Sequence, residues 1–348
     1  MKNTNLILGK ISSGKTKDIM FKEVNKLIQN NENLLIVDNK EEYYKNYMQE
    51  LIDNGYKAYV INFKDSTLSN GFNPLLLPYK YYKNGKKDIA IKLIKDFSRS
   101  IMSIQNVMDP FWQDSAADYL SGLILILFNE CNDENKINLG SIQLMVSGLN
   151  KDNYDKFQKY VSNLDIMSPE YMLVSGTALS PIETRGGIIS VLKQELNKYI
   201  ITENLLNLLC SNEINLSKVN EKTAIFVLGN NEYAKLTNSV INEIFKITEL
   251  NKIPFNFILD NFDSLMKITN FEDLLETSVE LKNKIYIVSR NIEDINSKYG
   301  KFIIDKIEEV INVNSKGDKE EVKLNNYSKY PKQDSTKNSY FDFTNLLK

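Results

Sequence analysis

Two rhythms of apolar and polar positions run along the chain, and the change between them divides it. The first is a series of short, solid apolar runs alternating with amphipathic segments. Asn5-Leu6-Ile7-Leu8 precedes an amphipathic segment at 18–28, and Asn33-Leu34-Leu35-Ile36-Val37-Asp38 precedes a helical one at 41–52. Lys57-Ala58-Tyr59-Val60-Ile61-Asn62-Phe63 follows, rich in β-branched and aromatic residues. Apolar runs without alternation suit strands buried on both faces, and this spacing predicts βαβ units in a mostly parallel sheet flanked by helices. The predicted class is α/β.

The second rhythm occupies the middle of the chain. Segments 85–102, 111–130, 139–149 and 154–164 carry apolar residues at helical spacing, with no convincing strand among them. Asp109-Pro110 fits an N-cap and first helical position, leading into the helix of Trp112. An all-α insertion domain is therefore predicted over 76–182, set into a sheet domain made of 1–75 and 183–314. The sheet resumes at 223–228, 255–260 and 284–289, with a weaker strand at 309–313 and an amphipathic helix at 234–250. Residues 315–348 read as a polar tail, of which 318–338 hold too little apolar surface to fold alone, ending in Tyr340-Phe341-Asp342-Phe343.

Composition narrows the chemistry. With 348 residues, 42% hydrophobic and 25% charged, the chain is ordinary globular material, and no run approaches the roughly 20 apolar residues of a membrane span. The first strand is predicted almost at Met1, and no signal peptide is expected. Cys131 and Cys210 read as isolated reduced thiols, and the expected location is cytoplasmic. Histidine is absent, which excludes Ser-His-Asp, Cys-His and His-based zinc chemistry. A net charge of −2 gives no bulk attraction to nucleic acid, so any DNA contact must be local. The chain has three arginines, Arg99, Arg185 and Arg290, against 43 basic residues in all. Each offers a planar fork that lysine lacks.

The candidate site begins at Gly9-Lys10-Ile11-Ser12-Ser13-Gly14-Lys15-Thr16, which has the form G-x-x-x-x-G-K-[ST]. It lies between an apolar strand and an amphipathic helix, the setting that a phosphate loop requires. Gly9 and Gly14 allow backbone N–H groups, with those of Ser12 and Ser13, to converge on an anion at a helix start. Lys15 is expected to reach the β- and γ-phosphates of ATP, and Thr16 to ligate Mg²⁺. A second acidic element is expected at the end of a buried strand, where ligands of α/β folds sit, and Asp260 fits. Asp38 is a weaker candidate on the same logic. The residue after Asp260 is Asn261, whose amide can position water but cannot accept its proton. Asp263, two residues on, is an alternative base.

These and further stretches together resemble the coupling proteins of type IV secretion, ring ATPases that feed conjugative DNA to an export channel. Val37-Asp38-Asn39-Lys40-Glu41-Glu42-Tyr43-Tyr44 resembles the family's D-P-K-G-E-L-Y. Asn62-Phe63-Lys64-Asp65 and Ser69-Asn70-Gly71-Phe72-Asn73-Pro74-Leu75 are similar to its N-L-x-D and S-x-G-[FW]-N-P-L. Asp109-Pro110-Phe111-Trp112, Thr184-Arg185-Gly186 and Phe257-Ile258-Leu259-Asp260-Asn261-Phe262 complete the set.

The resemblance implies a RecA-like P-loop NTPase domain with an all-α domain, ATP and Mg²⁺ as cofactors, and DNA-dependent hydrolysis. It also implies a hexameric or mixed ring around single-stranded DNA, and relaxase and secretion components as partners. Arg185 is the candidate for a neighbour's nucleotide site. There are three departures. The family usually has an N-terminal membrane anchor, whereas this chain opens on the first strand, so partners are expected to recruit it to the inner face of the membrane. Asn261 stands where the family has Glu, and Arg290 where it has Gln. A catalytically weak, ATP-binding structural or regulatory paralogue is the alternative. A DNA pump of chromosome segregation or packaging shares the ring and loop but not the N-P-L and D-P-F-W stretches.

Overall fold

The computed structural model describes residues 3–103, 109–149, 151–219, 222–313 and 319–321. Its centre is one sheet of eight strands: β1 (Thr4–Gly9), β2 (Asn33–Val37), β3 (Lys57–Asn62), β4 (Thr223–Leu228), β5 (Phe255–Leu259), β6 (Ile285–Ser289), β7 (Glu309–Val313) and β8 (Lys319–Glu321). The order is β3-β4-β2-β5-β6-β1-β7-β8. Seven strands run parallel, and only β8 pairs antiparallel, with Val313 opposite Lys319. The fold is of the α/β class, a mostly parallel sheet flanked by helices. Lys319–Glu321 lies in the stretch expected to be a polar tail and forms an edge strand; the rest of that stretch, with its aromatic end, lies outside the described residues.

Solid apolar runs become central strands because both sheet faces are covered. In β1, Leu6 and Leu8 join one core while Ile7 joins the other; in β2, Leu35 and Val37 part from Leu34 and Ile36 in the same way. The core around Ile7 is closed by the helices Phe21–Gln29 and Glu42–Asp53, whose Val24, Leu27, Tyr43 and Tyr47 are buried there. The core around Leu6 is larger. It continues into the helices that follow β3 and is roofed over β2 and β5 by the helix Ala234–Asn251.

The middle of the chain is helical, as its periodicity predicts. Leu76–Lys83, Lys87–Met102, Phe111–Glu130, Leu139–Gly148, Lys151–Ser162 and Pro169–Ala178 follow one another, and the helical run continues through Ile182–Ile200 and Glu203–Cys210 before β4 begins. Phe111–Glu130 is the hub, since every residue from Ala116 to Phe128 except Asp118 is buried and the neighbouring helices pack around it. Trp112 lies against the later helix at Gly187. A Cβ there would come within 2.5 Å of the indole, so the glycine permits the contact.

Candidate functional site

The parallel sheet places the C-terminal ends of β1, β2, β5 and β6 along one edge, the edge at which α/β folds carry their ligands. The loop after β1 is shaped by its glycines. A Cβ on Gly9 would lie 2.6 Å from the Ser13 Oγ and 2.7 Å from the Val313 carbonyl oxygen. Gly14 sits at φ +89°, and a Cβ there would strike the Asp18 carboxylate. Ser12 also takes a positive φ of 62°. The two positive-φ residues flank Ser13, whose N–H closes the turn on the Lys10 carbonyl at 3.2 Å, and the loop curls into a concavity. The loop feeds directly into a π-helical segment, Lys15–Met20, which continues as Phe21–Gln29; Asp18 closes its first turn by donating to the Gly14 carbonyl, and the N–H groups ahead of it have no partner within the helix.

Ser13 is buried, and its Oγ has no hydrogen-bond partner among the described residues. A buried hydroxyl without a partner is costly, and an anion in the loop would satisfy it. Lys15 is folded back over its own loop, donating its ammonium to the carbonyls of Gly9 and Lys10, the latter at 3.1 Å. Burial lowers its proton affinity, and the nearby Asp260 carboxylate opposes that shift.

Asp260 caps β5 and is only 3% exposed. Its Oδ1 accepts the Asn261 N–H at 2.7 Å, and its Oδ2 lies 3.5 Å from the Thr16 hydroxyl. Octahedral magnesium with ligands at about 2.0–2.1 Å sets adjacent oxygens roughly 3 Å apart, so these two can belong to one cation's shell. Burial pushes the Asp260 carboxyl up to about 6, partly offset by the Asn261 N–H and by Lys40. An ionised carboxylate held this far from water is poorly solvated, and a hard cation is what it lacks.

The cleft formed here has a volume of about 320 Å³. Lys10, Lys15, Lys17, Lys40 and Arg290 line it, against the carboxylates of Glu42 and Asp260. In a chain of net charge −2, this is a local excess of positive charge of the kind that collects a polyanion. Gly9, Ser12, Ser13, Gly14, Lys15, Thr16, Asp260 and Asn261 are thus brought together around one opening. The residues fit a triphosphate with its magnesium.

Sequence reasoning missed Lys40 and the structural use of Asp38. Asp38 is fully buried and accepts the N–H groups of Glu42, at 3.0 Å, and Tyr44, at 2.8 Å, so it fixes the start of the helix after β2 and turns Lys40 toward the cleft. Asp263 is not free to act as a base. Its carboxylate accepts the Arg290 Nε, the Arg290 backbone N–H at 3.3 Å and the Ser289 hydroxyl at 3.4 Å. Arg185 is not among the residues that line the cleft; its guanidinium stacks on the Tyr154 ring, 3.7 Å from the centroid.

The family of type IV secretory system conjugative DNA transfer matches residues 7–317 of this sequence. The chain belongs to that family. Among solved structures, the fold is similar to the bacterial conjugative coupling protein TrwBdeltaN70 in complex with sulphate, at a TM-score of 0.64 and 10% identity, covering 89% of this chain and 70% of that one. It is similar to the plasmid coupling protein TrwB in complex with ADP and Mg²⁺, at a TM-score of 0.62 and 9% identity over 89% of this chain and 70% of that one. VirB4 of Thermoanaerobacter pseudethanolicus follows at a TM-score of 0.51 and 13% identity, over 89% of this chain and 77% of that one. No curated protein matches the chain. Among the described residues of this family member, no helix is long and apolar enough to cross a membrane.

Proposed function

We propose that this member of the conjugative DNA-transfer family is its nucleotide-driven motor subunit, binding Mg-ATP in the cleft and coupling ATP hydrolysis to the movement of single-stranded DNA. The observation that carries the reading is the meeting of Lys15, Thr16 and Asp260 at one positively charged edge. Lys15 neutralises the β- and γ-phosphates, the loop N–H groups and the Ser13 hydroxyl hold them, and Thr16 with Asp260 holds the magnesium. Bound magnesium supplies charge neutralisation at the phosphates. Asn261 orients the attacking water.

The working unit in this reading is a homo-hexameric or mixed ring on DNA, in which Arg185 serves a neighbouring subunit's nucleotide. Relaxase and secretion components recruit it to the inner face of the cell membrane. Residues 76–182 act as the all-α domain beside a nucleotide-binding domain of 1–75 and 183–314. The test is ATP hydrolysis with and without single-stranded DNA: the wild type is expected to turn over faster on DNA, and Lys15→Ala to lose both binding and turnover. A wild type that binds no nucleotide at millimolar ATP would end the proposal.

A second reading has a specific observation behind it. Asn261 cannot accept a proton, and Asp263 is occupied by Arg290, so general-base help of roughly 10²–10⁴-fold is missing. Under that reading the chain is an ATP-binding structural or regulatory subunit with slow turnover. Asn261→Glu then raises hydrolysis more than tenfold, whereas a fast wild type dismisses it.

A further inference from the structure

A second cavity, of about 150 Å³, lies among three helices and shares no residue with the Lys15 cleft. The helix Ala234–Asn251 packs against Lys87–Met102, and the short helix Phe271–Thr277 closes the third side. Ser239, Asn242, Glu243 and Lys246 stand at i, i+3, i+4 and i+7 of the first helix, so a single helical face lines the cavity. Glu243 sits in the middle of that face and is 6% exposed, and among the described residues neither of its carboxylate oxygens has a partner. Burial alone pushes its carboxyl well above the usual range, with no opposing contribution from a neighbouring cation. A carboxyl buried in this way costs the fold free energy and lacks its counter-ion.

The other two helices bring further carboxylates to the same cavity. Asp96, on Lys87–Met102, accepts the Asn270 Nδ2 at 3.4 Å, and Asp273, on the short helix, is exposed; neither has an ion pair among the described residues. Burial raises the Asp96 carboxyl as well, opposed by Lys92 and by the Asn270 amide. Glu249 and Glu276 are already matched, by Lys246 at 2.5 Å and by Lys306 at 3.1 Å. Leu93, Phe97 and Phe245 make part of the wall apolar. Among the described residues no three carboxylates are grouped closely enough to hold a metal ion. The wall is therefore complementary to separated positive charges joined by an apolar stem. Its volume suits a ligand of about six heavy atoms, since an engineered cavity of about 150 Å³ admits benzene.

We infer that this cavity binds a short aliphatic diamine, with one ammonium on Glu243, the other on Asp96 and Asp273, and the methylenes against Leu93, Phe97 and Phe245. An occupied cavity ties Lys87–Met102, from the helical middle of the chain, to the two helices that belong to the sheet. An ammonium beside Glu243 favours its ionised form, so each diamine that binds releases a proton from the carboxyl to the buffer.

The experiment is isothermal titration calorimetry of the full chain, free of nucleotide and DNA, with 1,4-diaminobutane at pH 7 in phosphate and in Tris. Salt at about 150 mM screens exposed charges beyond about 8 Å, so loose adsorption is suppressed. The wild type is expected to bind one diamine per chain, with a heat that differs between the buffers because a proton is released. Glu243→Gln removes the charge and keeps the bulk; it weakens binding about tenfold or more and abolishes the buffer difference. Asp273→Asn weakens binding about threefold, and 1-aminobutane, with one ammonium, binds at least about tenfold more weakly than the diamine. Both variants are checked for an unchanged circular dichroism spectrum. At about 100 times its Kd the diamine raises the wild-type melting temperature by about 4 °C, and that of Glu243→Gln by no more than about 2 °C. A wild type whose melting temperature the diamine leaves unchanged, equal binding by Glu243→Gln, or a heat independent of buffer overturns the inference. So does 1-aminobutane binding as tightly as the diamine, which would make the cavity a seat for a single ammonium such as a lysine of a partner protein. No nucleotide enters these readouts, so the Lys15 site is tested separately.

Discussion

Replacing Asp260 by Asn should make the nucleotide-free protein more stable while removing what the site is for. The carboxyl is raised to about 6 by burial, some two pH units above an ordinary aspartate. At about 1.4 kcal/mol per unit, holding it ionised at pH 7 costs the fold about 3 kcal/mol. Because the folded-state value is the raised one, the folded protein keeps a proton between about pH 4 and 6 that the unfolded chain releases. Its contribution to stability is therefore full below pH 4 and is lost as pH rises through 6. Asn carries no such penalty and retains an oxygen for the Asn261 N–H. For 348 residues, with an unfolding entropy of about 2.1 cal/mol/K per residue, 3 kcal/mol corresponds to a gain of about 4 °C in melting temperature. Thermal melting in EDTA at pH 4, 5, 7 and 8 reads this directly: the variant leads by about 4 °C at pH 7 and 8, by about half of that at pH 5, and by nothing near pH 4. Mg-ATP at about 100 times its Kd then adds about 2.7 kcal/mol to the wild type and little to the variant, which cancels most of the lead. A lead that is absent at pH 7, or the same at every pH, would refute the reasoning.

Two further outcomes are expected. Arg185→Ala removes one cation–π contact with Tyr154, so the melting temperature should fall by no more than about 2 °C. If Arg185 serves a neighbour, DNA-stimulated turnover of the assembled protein drops at least tenfold while the nucleotide affinity of the isolated chain holds; parallel losses in both would assign it a purely structural role. Glu243, on the helix Ala234–Asn251, is buried with neither carboxylate oxygen partnered among the described residues, and burial holds its carboxyl well above the usual range. Glu243→Met should stabilise the protein by about 1–3 kcal/mol in urea unfolding, with no effect on nucleotide binding; a loss of stability would show that the carboxyl has a partner in solution.

How much of the site was legible in the sequence depends on how far each signal is spread along the chain. The strand from Asn5 to Leu8, the glycine pair and Lys15-Thr16 are contiguous, so the loop and its place could be read directly. The place of Asp260 beside the loop was readable because a carboxylate closing the solid apolar run Phe257-Ile258-Leu259 is desolvated by its neighbours at the ligand-bearing end of the sheet. Asp38, at the end of an equally solid run, was ambiguous because a helix start offsets the same cost, and only the hydrogen bonds from Glu42 and Tyr44 decide between the two. The pairing of Arg290 with Asp263 spans 27 residues and depends on β5 and β6 being neighbours, which no local pattern encodes. That pairing also withdraws Asp263 as a base. Lys40 has a weaker signal that went unused: it follows a central strand at its ligand-bearing end. The stacking of Arg185 on Tyr154 joins two helices whose mutual packing is set by bulk, so composition and spacing are silent about it.

The central claim is that one magnesium ion and one triphosphate are held jointly by the Lys15 loop and Asp260. Electron paramagnetic resonance with Mn²⁺ in place of Mg²⁺ counts bound metal directly. The account predicts one tightly bound Mn²⁺ per chain only when ATP is present, with the bound signal lost in Asp260→Asn and in Thr16→Ala. An ATP-dependent Mn²⁺ signal that is unchanged in both variants would contradict it.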